Sequence, residues 1–139
     1  MTGQRGAASV EFAMVVPVLV LLVGLVVGGA RTWLARGVVE QAAGAAVRGV
    51  SQSRSPGEAV RTAKSLAFAQ AAAGGLRCER LAVDVDAGAL ARPPGTPAVV
   101  AATVRCDVPL GDVLVPGWPG VIEVEATAEA VLDRYRGRK

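Results

Sequence analysis

At 139 residues the chain has room for one small domain and an anchor, but not for two domains. With no histidine and two cysteines it lacks Ser-His and Cys-His pairs, and a zinc site is not expected. A formal charge of +3 falls short of the concentrated basic face that nucleic acid requires, so no nucleic-acid partner is expected.

The chain opens with a short polar segment containing Gln4 and Arg5, then Gly6-Ala7-Ala8-Ser9-Val10-Glu11. From Phe12 to Ala30 there is no charge, and Val, Leu, Ala, Met and Gly dominate. At about 1.5 Å per residue this run makes a helix of roughly 28 Å, the thickness of a bilayer's hydrocarbon. It reads as a membrane-spanning helix in contact with lipid. The alternative, a buried core helix, fits poorly because such helices rarely lack a polar face over this length. A second alternative is a secretory signal cut at the small residues Gly28-Gly29-Ala30, but the run is longer than a usual signal core.

Glu11 stands at the mouth of the apolar run, where a carboxylate is costly unless paired. A peptidase cutting after Gly6 would release the α-amine of Ala7 as a positive partner, one helical turn away or across two packed helices. The plainer reading is a glutamate that snorkels to the interface. The run Arg5-Gly6-Ala7-Ala8-Ser9-Val10-Glu11-Phe12-Ala13, followed by an apolar segment with an early Pro17, resembles the N-terminus of TadE-like proteins. These are pilin-like (pseudopilin) components of Flp-type, or tight-adherence, pilus systems. The resemblance implies a leader, residues 1–6, removed by a prepilin peptidase after Gly6. It makes Ala7 the new N-terminus and Glu11 the processing or assembly residue, with other pilin-like subunits meeting the chain through this helix. Ala7 differs from ordinary type IV pilins, which carry Phe at that position.

The resemblance also implies an extracytoplasmic C-terminal part. The charge bias points the other way, since Arg31, Arg36 and Arg48 follow the span and only Arg5 precedes it.

Beyond Ala30 the helical spacing continues through Val38, Val39, Ala42, Ala43, Ala46, Val47 and Val50, so one N-terminal helix is expected over 7–50. Its small-residue face is read as covering the chain's own sheet rather than a partner. Gly49 and Ser51-Gln52-Ser53-Arg54 close it in a polar loop. Ser55-Pro56-Gly57-Glu58 then starts a second helix, with Ser as N-cap, Pro at the first position and Glu three residues after the cap. Ala59, Val60, Ala63, Leu66, Ala67 and Ala71 fall on its inner face, and Gly74-Gly75 stops it.

From Arg80 the period becomes two. Leu81, Val83 and Val85 mark a first strand, and Val100, Ala102, Val104, Cys106 and Val108 a second. Ile122, Val124, Ala126, Ala128 and Ala130 mark a third. A Pro/Gly loop over 91–97 and a longer one over 109–120, holding Trp118, connect them, and Asp133 to Lys139 form a basic tail. The fold class is α+β: a long transmembrane helix, an amphipathic continuation, then a second helix on a three-stranded antiparallel sheet. Residues 51–139 form the head.

Cys78 and Cys106 flank the first two strands, so antiparallel pairing brings them within reach of a disulfide; two buried thiols are the alternative. Asp84 and Asp86 share a strand face that fits a cation or, more simply, water, and Glu123, Glu125 and Glu129 read the same way. No catalytic, metal-ligating or cofactor-binding set emerges, and the chain is not read as an enzyme. Two functions remain: a pilin-like structural or assembly subunit, or a single-pass anchor that displays a binding head without polymerising.

Overall fold

The computed structural model of the chain describes residues 4–93, 97–111, 117 and 119–132, with the backbone alone for 4–10. Trp118, the middle of the 91–97 loop and the basic tail lie outside the described residues. Helix α1 spans Gln4–Gln52 and α2 spans Pro56–Ala73; the strands are β1 (Leu81–Asp86), β2 (Val99–Pro109) and β3 (Val121–Val131). At 1.5 Å per residue α1 is roughly 73 Å long, far more than the small head it enters.

The strands form an antiparallel meander in the order β1-β2-β3. Its register sets Leu81 opposite Cys106 and Val83 opposite Val104, then Cys106 opposite Val124 and Val104 opposite Ala126. Because side chains alternate between faces, this register puts Val83, Val100, Ala102, Val104, Cys106 and Val124 together on one side. Both helices cover that side. The stretch of α1 from Ala35 to Val50 buries Val39, Ala42, Ala43, Ala46 and Val50 completely, in one core with the sheet. The small-residue face of α1 therefore covers the chain's own sheet.

The other face of the sheet is wet. Arg105, central on β2, donates to Glu125 on β3 and to Asp84 on β1, while the hydroxyls of Thr103 and Thr127 meet at 2.9 Å. The Glu125 hydrogen bond and charge, then those of Asp84, raise the Arg105 pKa further above its ordinary value. Asp86 instead accepts from the Gly88 backbone N–H at 3.1 Å, closing the turn into a short 3-10 segment, Gly88–Ala91, that buries Leu90.

Helix α2 starts as its sequence dictates: the Ser55 hydroxyl accepts from the Glu58 N–H, and the Glu58 carboxylate accepts from the Arg54 N–H at 3.1 Å. Its buried face differs from the expected one. Ala59, Ala63, Ala67 and Ala71 are buried, whereas Leu66 is 39% exposed. The reason is close approach. A Cβ built on Gly49 would lie 2.8 Å from Leu66 Cδ1 and 3.2 Å from Thr62 Cγ2, so the glycine leaves the space in which Leu66 lies across α1 at the edge of the interface. Ser53, expected in a polar loop, is buried, and its hydroxyl donates back to the Gly49 carbonyl at 2.7 Å.

The exit of α2 is equally tight. Gly75 takes φ +67°, and the Leu76 N–H bonds the Ala71 carbonyl at 3.0 Å, a left-handed cap that suits glycine. A Cβ on Gly74 would sit 2.5 Å from Val38 Cγ1 and 2.9 Å from its Cγ2. Val38 is β-branched and held by its helix, so it cannot turn away. Gly74→Ala should therefore destabilise the head by about 1–3 kcal/mol. Gly37→Ala, inside α1 with nothing within 4 Å of the new Cβ, should instead stabilise by up to about 1 kcal/mol. Urea unfolding midpoints of the two variants, moving in opposite directions from wild type, check the pair.

Candidate functional site

The first half of α1 has a surface that water does not suit. Phe12 is 71% exposed and Val26 69%, and only 6% of the most apolar window is buried. A core helix would be covered here. Among the described residues this is one helix long and apolar enough to cross a membrane. Pro17 lies within it without ending it.

Glu11 is exposed at one end of the apolar stretch and Arg31 at the other. Twenty residues of helix separate them by roughly 30 Å, so the two charges bracket one hydrocarbon thickness. Thr32, just past the apolar stretch, donates its hydroxyl to the Gly28 carbonyl at 2.9 Å and so satisfies itself on the helix. Trp33, 75% exposed, follows at the level where indoles favour the membrane interface.

The Gly6–Ala7 bond falls in the first turn of α1, and residues 1–3 of the expected leader lie outside the described residues. The first four N–H groups of a helix have no intrahelical acceptor, so unwinding to Ala7 breaks few hydrogen bonds. Ala7 and Glu11 are four residues apart, one turn along the same helix. A chain beginning at Ala7 would add an α-ammonium to the positive end of the helix dipole, one turn from the carboxylate.

The remaining candidate residues are placed as follows. Cys78 and Cys106 form a disulfide, with Cα atoms 5.4 Å apart, at the end of the sheet nearest the apolar stretch. Beside it the ladder extends past the Leu81–Cys106 pair, with Glu79 N–H to the Asp107 carbonyl at 2.8 Å and Asp107 N–H to the Arg80 carbonyl at 3.0 Å. Asp84 and Glu125 converge on Arg105, and Asp86 is turned to the Gly88 turn.

Sequence reasoning missed a cleft of about 590 Å³ where α1 enters the head. Arg31, Leu34 and Val38 of α1 line it, with Leu76 and Arg77 from the exit of α2 and Val108 from the end of β2. Three segments distant in sequence build it, and the one local signal is Arg77, two residues past the Gly74-Gly75 stop.

Residues 6–48 match the family model described as TadE-like protein. No curated protein and no solved structure matches the chain. The match begins at Gly6, takes in Glu11 and the whole apolar stretch, and ends within α1 where that helix packs on the sheet. The likeness to TadE-like proteins therefore lies in the N-terminal helix.

Proposed function

We propose that the chain is a minor pilin-like or pseudopilin-like component of a Flp-type pilus or secretion machine. A prepilin peptidase removes residues 1–6, the apolar helix holds the product in the membrane, and other pilin-like subunits pack against that helix. Its role is structural rather than catalytic. The observation that carries this reading is the TadE-like match over residues 6–48, which starts at the proposed cleavage residue and runs the length of the exposed apolar helix.

In this reading the head lies outside the cytoplasm. The Cys78–Cys106 disulfide supports that side, because such bonds persist in oxidising compartments. Arg31, Arg36 and Arg48 lie close enough to the span to count against it, so the reading rests on the disulfide and the TadE-like likeness.

Intact mass of the protein isolated from its native membrane tests the reading. The expected chain begins at Ala7, and Gly6→Val leaves the precursor uncut, because a branched Cβ does not fit a site shaped for glycine. A native chain that retains Met1, or one that starts near Arg31, overturns it.

A further inference from the structure

The cleft at the foot of the head joins two features that the pilin-like reading does not use. Its walls are apolar where Leu34, Val38, Leu76 and Val108 meet, and two arginines, Arg31 and Arg77, stand on its rim. No acidic residue lines it among the described residues. Arg31 is the first charge after the apolar run, which fixes the height of the cleft at the headgroup level of the leaflet facing the head.

We propose that this cleft binds an anionic phospholipid, with the phosphate between Arg31 and Arg77 and the acyl chains running back along the exposed apolar surface of α1 around Val26 and Val27. A guanidinium carries five N–H donors in a planar fork, so one that already bonds a neighbour keeps donors for a phosphate. The carboxyl end of α2 also faces this region and carries about half a negative charge. Three of its last four carbonyls are already taken, however: Gly74, Gly75 and Leu76 donate to Gln70, Ala72 and Ala71. What remains of that half charge is smaller than the charge of either guanidinium. Lipid is favoured over a soluble anion because the exposed apolar surface of α1 begins directly below Arg31, where acyl chains lie against it and a free ion gains nothing. The inference needs only that α1 cross a bilayer, and it holds whether or not the chain polymerises.

The test uses the full chain in nanodiscs of phosphatidylcholine and phosphatidylglycerol, with bound lipid counted by native mass spectrometry. Wild type should retain phosphatidylglycerol in preference to phosphatidylcholine, whose choline offsets the same phosphate. Arg31→Gln and Arg77→Gln should each cut that preference about fivefold, the worth of one basic residue at an anionic surface. Arg36→Gln, five residues along α1 and outside the cleft, should leave it unchanged. Three results would overturn the proposal. Wild type retains both lipids equally; Arg36→Gln loses as much as Arg77→Gln, which makes the effect a general surface attraction; or inorganic phosphate displaces the lipid better than sodium chloride of equal ionic strength, which makes the ligand a free anion.

Discussion

Reducing the Cys78–Cys106 disulfide should lower the unfolding free energy of the head by about 3.5 kcal/mol in the chain-entropy model. The bond closes a loop with a sequence separation of 28, and opening it frees that loop in the unfolded chain. The folded chain should change little. Cys106 is fully buried on the inner face of β2, and the backbone hydrogen bonds through Glu79, Arg80 and Asp107 hold the strand ends without the bond. For a domain of this size the loss corresponds to a fall in Tm on the order of 15–25 °C. Circular dichroism melts of the full chain in detergent, with and without reductant, measure it. Cys78→Ser should reproduce the reduced behaviour, whereas Cys106→Ala should cost more because it also leaves a void in the core. Coincident melting curves for oxidised and reduced protein would mean that the bond constrains nothing the ladder does not already hold.

The head was legible where the chain carries a local signal. Ser55, Pro56 and Glu58 announce the start of α2, and the alternation from Leu81 and from Ile122 fixes which strand face is wet. What periodicity could not give is the depth of packing. An i, i+3, i+4 pattern assigns Leu66 and Ala67 to one face alike. Which of them is covered depends on how α1 crosses: Ala67 is fully buried, while Leu66 reaches over Gly49 with part of its side chain left exposed. The same distinction separates the two candidate sites. Gly6, Ala7 and Glu11 are neighbours in sequence, so their spacing can be read directly. The lipid cleft is assembled from the foot of α1, the exit of α2 and the end of β2, and only the antiparallel course of α2 brings Arg77 back to the level of Arg31.

Glu11→Ala should leave membrane insertion intact and weaken association between subunits. The apolar stretch from Phe12 to Ala30 is long enough to span without Glu11, and the substitution removes only a polar residue from its edge. Pairing is a different matter. In the proposed assembly the Glu11 carboxylate accepts from the α-ammonium of Ala7 on a neighbouring helix. A charge left alone at the edge of hydrocarbon costs several kcal/mol. Removing the carboxylate takes away a charge-assisted hydrogen bond and leaves the neighbour's amine uncompensated. Crosslinking yield between subunits should then fall on the order of tenfold or more. Packing of small residues along the helix would remain, but by itself it sets register weakly. Glu11→Gln separates charge from hydrogen bonding: it keeps an acceptor of the same shape, so its yield should lie between wild type and alanine. The comparison is made in the same membranes, with total and cleaved protein as controls, so that a loss of processing is not mistaken for a loss of assembly. If the alanine variant inserts, is cleaved and crosslinks as well as wild type, Glu11 is an interfacial residue that snorkels to water. The helix would then assemble, if it assembles, through its apolar surface alone.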